Sequence, residues 1–485
     1  MLTEEDCVTP LNPQQATSDP GTEKSGGSGV VTDVLIPHAP GAWPLVGHVP
    51  SLIRNPLRFV TSLAAHGDVV RLRLGPLPVY ALTHPALVHQ VLVEDARDYA
   101  RGRIFEKAGP FLGEGLLASS GTEHRRQRRL LQPAFHRDRI SASIPVLRQA
   151  AERTSASWRP GQTVAVDRAM NELSLTMLTK TLFTADAGAR AAAQIERALP
   201  VLATGLITRT LMPEWWTKLP TPANRRFDRS VHDMGTAIDE AVRAYRAQGR
   251  DHGDVLSMLL SARDQDGEAL TDHQIRDQLV GFGLAGVETT GASLAWLFHE
   301  LGRHPEIEQR LHTELDTALG DRPPRYEDLP ALQYTGRVIT ETLRLHALWM
   351  VMRRTRTSVQ LADTTLPAGA EILYSAYALH RDPRFFPDPE RFDPDRWLPE
   401  RARRIPKGAF IPFSAGAHKC IGDSLAFTEM TIALAVICRR WRLRPTPGVR
   451  VREVARGDVH PNRLPMVAEP RTDRSSMEAT GHGGV

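Results

Sequence analysis

The chain has 485 residues, 41% of them hydrophobic and 24% charged, enough apolar content to close a large core without disulfide or metal staples. Its 60 lysines and arginines nearly balance 56 aspartates and glutamates, and a formal charge of +4 on this length argues against a nucleic-acid partner. Three cysteines, Cys7, Cys420 and Cys438, exclude a disulfide framework and fit a reducing cytoplasm, where a lone cysteine can be kept for chemistry.

In chain order, residues 1–30 are rich in Gly, Ser, Thr, Pro and acids and read as a disordered tail, as do residues 471–485. No basic segment followed by an apolar run and a cleavage site stands near the start, and no stretch reaches about 18 apolar residues. The expectation is a cytoplasmic protein without a membrane anchor. Residues 31–470 carry no repeat or linker and read as one large domain. Asp68 to Leu74 alternates, Gly75-Pro76-Leu77-Pro78 turns, and Val79 to Leu82 returns, which predicts a hairpin. Residues 100–118 are expected to form a loop. The densest basic run, His124-Arg125-Arg126-Gln127-Arg128-Arg129, lies on a predicted helix. Helical patterns dominate from 124 to 350, and 353–420 is Pro-rich with short strands, so the fold class is mainly α with minor β.

A helix beginning at Thr271 is the most informative segment. Thr271 and Gln274 have the spacing of a reciprocal N-terminal cap, Ile275, Leu279, Phe282, Leu294, Leu297 and Leu301 form an apolar stripe, and His304-Pro305 ends the pattern. The helix is predicted to run about thirty residues, long enough to cross a domain. Gly281, Gly283, Gly286 and Gly291 in its middle each cost up to ~1 kcal/mol relative to alanine. Either a neighbour approaches this backbone closely or the helix opens locally. Gly281-Phe282-Gly283-Leu284-Ala285-Gly286 also fits the dinucleotide-binding Gly-x-Gly-x-x-Gly. That fingerprint follows an apolar strand and opens a helix, whereas residues 272–280 are amphipathic and already helical, which sets a dehydrogenase far behind.

The chemistry concentrates in Phe413-Ser414-Ala415-Gly416-Ala417-His418-Lys419-Cys420-Ile421-Gly422, which precedes a helical run containing Leu425, Ala426 and Glu429. A cysteine in a glycine-punctuated loop at a helix start meets backbone N–H groups and a helix dipole, both of which favour thiolate, the form that ligates iron or attacks as a nucleophile. The string resembles the haem-binding signature of the cytochrome P450 family: Phe, two residues, Gly, one residue, Arg or His, one residue, Cys, one residue, Gly. The resemblance implies haem b, with Cys420 as the metal ligand whose electron-rich thiolate favours O–O cleavage. It also implies that Phe413 shields the sulfur, that His418 reaches a propionate, and that Gly416 and Gly422 let the loop turn tightly. His418 stands where many members carry Arg, making its contact weaker and pH-sensitive.

Other segments match in family order. His124 and Arg128 share a helix face in the manner of the propionate-binding pair. Ala285-Gly286-Val287-Glu288-Thr289-Thr290 resembles the oxygen-activation motif, in which Thr289 holds dioxygen by a hydrogen bond and Glu288 feeds a proton relay. Taken bare, Thr289 could instead bond back to a helical carbonyl and Glu288 could face solvent. Glu341-Thr342-Leu343-Arg344 places an acid and an arginine at i and i+3. In the family that pair is buried and completed by a later arginine, here Arg396 in Phe392-Asp393-Pro394-Asp395-Arg396-Trp397, with Arg391 the alternative. Arg354 matches a further propionate arginine, with Arg353 beside it open.

The resemblance implies a monooxygenase that uses O2, with electrons relayed from NAD(P)H through a ferredoxin and its reductase. Arg125, Arg126 and Arg129 are candidates for docking the ferredoxin. Phe105, Phe111, Phe282, Ala285, Leu348 and Met352 are expected to line the substrate pocket, along with the region 200–216. These are mostly apolar and point to a lipophilic small molecule. Gly67-Asp68-Val69-Val70-Arg71 and Gln132-Pro133-Ala134-Phe135 look most like actinobacterial members that oxidise sesquiterpenes in natural-product biosynthesis, with a polyketide or fatty acid as the alternative. A non-enzymatic haem sensor, which has no need of Glu288 and Thr289, and a peroxide-driven hydroxylase are the rivals.

Overall fold

In a computed structural model, described over residues 36–211 and 214–471, alternation makes the first sheet. β1 (Val69–Leu74) and β2 (Leu77–Leu82) pair antiparallel around Gly75, whose φ of +63° suits the turn. A short strand, β3 (Tyr99–Arg101), leads directly into α1 (Arg103–Leu112). The segment expected as a loop is thus a strand and a helix: Gly109-Pro110 reads as a breaker, yet the helix continues through both, because tertiary context outranks propensity. α2 (Gly121–Leu131) buries His124, Gln127, Leu130 and Leu131 and leaves Arg125 and Arg129 exposed.

The core forms where α3 (Val166–Leu182), α4 (Ala189–Leu211) and the long α5 (Asp272–Arg303) meet. α5 starts on the reciprocal cap: Gln274 N–H donates to Thr271 Oγ1 and Thr271 N–H donates to Gln274 Oε1, both at 3.1 Å. It then runs 32 residues without a break. Close approach explains one of its glycines. A Cβ on Gly291 would overlap Asn171 Oδ1, whereas Cβ atoms on Gly283 and Gly286 would stand in ordinary contact, 3.5 Å from Leu199 and Leu178. Four glycines cost up to ~4 kcal/mol together. Burial of Ile275, Leu279, Leu294 and Leu297 contributes ~1.5–3 kcal/mol for each side chain and outweighs that cost. Gly281 to Gly286 lies inside this helix with no strand before it, which removes the dinucleotide reading.

α6 (Gln333–Leu345) precedes β4 (Val351–Thr355) and β5 (Glu371–Tyr374), which complete a five-stranded sheet in the order β1-β2-β5-β4-β3. β2 and β5 run parallel, and the other pairs are antiparallel. α7 (Asp423–Arg440) follows the cysteine loop and buries Ile432, Leu434 and Ile437 against the helix over Arg137–Ala156, α5 and α6. A last hairpin, β6 (Glu453–Ala455) and β7 (Val459–Pro461), folds back onto α5. Among the described residues no helix is long and apolar enough to cross a membrane. The tail read at 1–30 and all but Arg471 of the tail read at 471–485 lie outside the described residues; Arg471 itself is tied down, its N–H donating to Arg440 O at 2.9 Å.

Candidate active site

The cysteine loop is tied at both ends. Cys420 N–H donates to Phe413 O at 2.9 Å, and Lys419 N–H donates to Gly416 O at 3.0 Å. Gly416 has a φ of +65°, and a Cβ there would overlap Leu92 O, so only glycine fits. Arg128 Nη1 donates to Lys419 O at 2.6 Å, and Tyr374 and Ser414 share a hydrogen bond of 3.1 Å. Phe413 packs against the main core. Phe135 spans the distance to the long helix: its ring edge meets Gly422 on one side and packs against Phe282 on the other, with centroids 5.6 Å apart.

Cys420 keeps accessible surface although protein encloses it on most sides, the combination expected of a group lining an internal space. Burial pushes its thiol pKa up, and the N–H of Gly422, which pulls it down, does not compensate. The expectation that the loop and helix dipole favour thiolate is therefore outweighed by desolvation, and a bound cation is what would hold the sulfur ionised. Cys438 is buried within α7, where desolvation raises its thiol much further. Cys7 lies outside the described residues.

Four cationic or ionisable groups gather beside this loop. Arg101 on β3 stands directly opposite Arg353 on β4, and directly opposed residues share a face. Arg353 is 4% exposed and donates only to Met352 O, while Arg101 donates to Ser119 O and Leu116 O. Neither has a carboxylate partner among the described residues. Burial, reinforced by Arg353, lowers the Arg101 pKa to about 9. His418 Nδ1 and His124 Nε2 lie 3.1 Å apart. Burial and then Arg101 lower the pKa of His124 to about 4 and that of His418 to about 2. Two enclosed arginines without an anion suit a ligand bearing carboxylates, as haem does.

Arg354 is not in this group. Successive strand residues point to opposite faces, so Arg353 faces the histidines while Arg354 faces away, paired with Glu371 and Glu106. There it lines a cleft of about 1060 Å³ with Arg103, Phe227 and Leu77, apart from Cys420. Met352, on the same face as Arg354, is 4% exposed and packs with Leu72, Val79 and Leu373 beneath the sheet, so it is no pocket wall. Arg101 was missed in the sequence, since only the β3–β4 register reveals its position.

On α5, Ala285 is exposed midway along a helix buried on its other faces, which places a void beside it. Phe282 is half-buried there, and Leu117 lies against Gly281. Thr289 Oγ1 donates to Ala285 O at 2.8 Å, the plain helical back-bond. Glu288 is partly enclosed, and burial raises its carboxyl pKa against the pull of Arg456. Phe105 lies under the Arg101 guanidinium at 4.7 Å, and Leu348 is half-buried with its carbonyl accepting from Tyr377 N. The Phe111 side chain lies outside the described residues, as does much of the region 200–216.

Glu341 and Arg344 are completely buried and bidentate, with two contacts of 2.9 Å. Arg396, 4% exposed, adds Nε to Glu341 Oε1 at 3.3 Å, whereas Arg391 is exposed and offers only its carbonyl, to Arg344. Of the arginines read as docking groups, Arg126 is held by Asp264 at 2.6 Å and Glu123 at 3.4 Å, and Arg125 and Arg129 face solvent.

Comparison with known proteins agrees with this geometry. The family model described as Cytochrome P450 matches residues 37–464. The chain is 46% identical to cyclooctat-9-en-7-ol 5-monooxygenase of Streptomyces melanosporofaciens, over 89% of this chain and 95% of that one. It is 40% identical to pentalenene oxygenase of Streptomyces avermitilis, over 90% and 97%. The crystal structure of the cytochrome P450DA heme domain superposes with a TM-score of 0.80 at 25% identity, covering 90% of this chain and 98% of that one. A matched family model, a superposed fold and an enclosed cysteine beside an anion-lacking arginine pair lead to one assignment: the chain belongs to the cytochrome P450 family and is a monooxygenase.

Proposed function

We propose that this monooxygenase inserts one oxygen atom into a cyclic terpenoid, a lipophilic hydrocarbon or simple alcohol, in natural-product biosynthesis. The observation that carries this reading is the 46% and 40% identity, across nearly their whole length, to enzymes named for oxidising cyclooctat-9-en-7-ol and pentalenene. The apolar surroundings of Ala285 suit such a molecule, since Phe282 and Leu117 offer no charged anchor.

Haem, when bound, supplies the redox chemistry that activates dioxygen. In this reading Cys420 Sγ ligates the iron, Phe413 and Gly416 hold the loop beneath it, and Arg101, Arg353, His124 and His418 receive the propionates. Arg353 takes the place first given to Arg354. Arg128 acts through the loop, by its bond to Lys419 O. Thr289 leaves its back-bond to Ala285 O to hold oxygen, and Glu288 delivers protons to it. Glu341, Arg344 and Arg396 form the buried scaffold. Electrons come from NAD(P)H through a ferredoxin reductase and a ferredoxin, which docks against the exposed Arg125 and Arg129.

The test is turnover with NADPH, a ferredoxin and its reductase under isotopically labelled dioxygen. A cyclic terpene should shift the haem absorption on binding and yield a product with one labelled oxygen. Preferential turnover of fatty acids or polyketides would overturn the substrate class.

A further inference from the structure

The hairpin β6–β7 closes over the acid of the long helix, and its tip, Arg456-Gly457-Asp458, carries a second carboxyl. Glu288 makes no hydrogen bond with the described residues, and its Oε2 would stand only 3.7 Å from a Cβ on Gly457. The tip is pinned on both sides of Asp458. Trp349 Nε1 donates to Arg456 O and Trp296 Nε1 donates to Val459 O, each at 2.8 Å. Within the turn, Arg456 N–H donates to Asp458 O at 2.8 Å. Asp458 itself is 6% exposed. Its Oδ1 accepts from Val459 N–H at 2.7 Å, and its Oδ2 has no hydrogen-bond partner among the described residues.

A second cluster of titratable groups packs behind the same hairpin. His346, which follows α6, lies flat against Trp296, with ring centroids 4.0 Å apart and 1° between planes. Its Nδ1 meets Glu453 Oε1 at 2.9 Å and its Nε2 meets Glu300 Oε1 at 3.3 Å. Both of its nitrogens are thus engaged by carboxylates. The Glu453 side chain is 23% exposed and also accepts from Tyr377 and Arg381, so the cluster ends near the surface.

We infer that Asp458 re-protonates Glu288, so that protons for oxygen activation reach the long helix through the tip of the β6–β7 hairpin. This rests on the reading of Glu288 as the proton donor to oxygen. The step moves one proton and no electrons. The neutral Asp458 carboxyl gives its proton through a water to the Glu288 carboxylate, becomes a carboxylate, and is refilled from solvent. Electrons come separately from the redox partner, and each turnover draws two protons as one oxygen atom leaves in water. Asp458 acts through Glu288 and is a positioning residue for its proton.

The charged groups acting on Asp458 are Glu288 from α5 and His346, while Arg456 and His460 are its neighbours on the hairpin. Burial pushes Asp458 up to about 7, the Glu288 charge adds to this and His346 opposes it. Burial also pulls His460 down to about 4, so that it is neutral there at pH 7. Asp458 therefore exchanges its proton near working pH, where a relay is most effective.

The experiment compares Asp458→Asn and Glu288→Gln with the unmodified haem-loaded enzyme, reading product per NADPH against pH and the infrared carbonyl band of protonated carboxyl groups. Glu288→Gln should lose ~100-fold or more in coupled turnover, as for a direct proton donor. Asp458→Asn should lose on the order of tenfold, since water can still refill Glu288 slowly. The fall in coupling of the unmodified enzyme as pH rises through about 7 should be absent from Asp458→Asn. An infrared band titrating in that range should vanish with Asp458→Asn and titrate at lower pH in Glu288→Gln. If Glu288→Gln stays coupled, the reading of Glu288 fails. If Glu288→Gln uncouples while Asp458→Asn keeps both its coupling and its pH limb, the relay fails. Should Asp458→Asn not load haem, the infrared titration of the unmodified enzyme and Glu288→Gln decides: a band shifted by Glu288→Gln supports the relay, and none titrating near 7 overturns it.

Discussion

Removing Glu341 should destabilise the fold far more than removing an ordinary surface acid. Its two oxygens accept from Arg344 Nε and Nη2 at 2.9 Å each, from Asp393 N–H at 3.0 Å, from Trp397 Nε1 at 2.9 Å and from Arg396 Nε at 3.3 Å. Glu341→Ala leaves two buried guanidinium groups, an amide and an indole N–H without that acceptor. Arg344 keeps only carbonyls, those of His380, Pro389 and Arg391. Burial already outweighs the pairing at Arg344, lowering its pKa, so the intact cluster is close to balance and the damage comes from stranding a charge. Such a break costs ~3–5 kcal/mol, against a total stability of about 5–15 kcal/mol for a domain. The urea midpoint of Glu341→Ala should fall by roughly a fifth or more, with little haem-loaded protein recovered, and Glu341→Gln, which keeps the shape and one carbonyl, should fall less. A Glu341→Ala protein with an unchanged midpoint and full haem content would show that Glu341 does not hold the buried arginines.

Strand register predicts that Arg353→Gln weakens haem retention, measured as haem lost to apomyoglobin, while Arg354→Gln does not; the reverse order would return the propionate role to Arg354. Thr289→Ala should keep haem and fold but divert electrons into peroxide, so unchanged product per NADPH would remove Thr289 from the mechanism. Glu429, fully enclosed in α7 with Oε1 unpartnered, is pushed up to about 8 by burial. The folded state holds this proton to higher pH than the unfolded chain, so the stability it contributes is complete below about pH 4 and is lost as pH rises through about 8. The urea midpoint should decline from pH 6 to 9 more steeply than that of Glu429→Gln, and parallel curves would contradict the account.

Much of this was legible because it is local. The reciprocal cap at Thr271 and Gln274 and the hairpin around Gly75 depend on residues a few positions apart, and the Cys420 string carries its own turn chemistry. What stayed illegible depends on distant partners. The choice between Arg353 and Arg354 is one of face, set by pairing with Arg101 and Ile372 far along the chain, and the same alternation turns Met352 into the core. The continuation of α1 through Gly109 and Pro110 reverses a local breaker signal. The sense of the Cys420 shift could not come from the loop either, since its N–H donor is local but the burial that outweighs it is assembled from the whole fold.

Cys420 as the thiolate ligand is best tested by the ferrous carbonyl spectrum. The unmodified protein should show the red-shifted band of a thiolate-ligated haem, Cys438→Ser should retain it, and Cys420→Ser should lose it. A red-shifted band that survives Cys420→Ser would contradict the account.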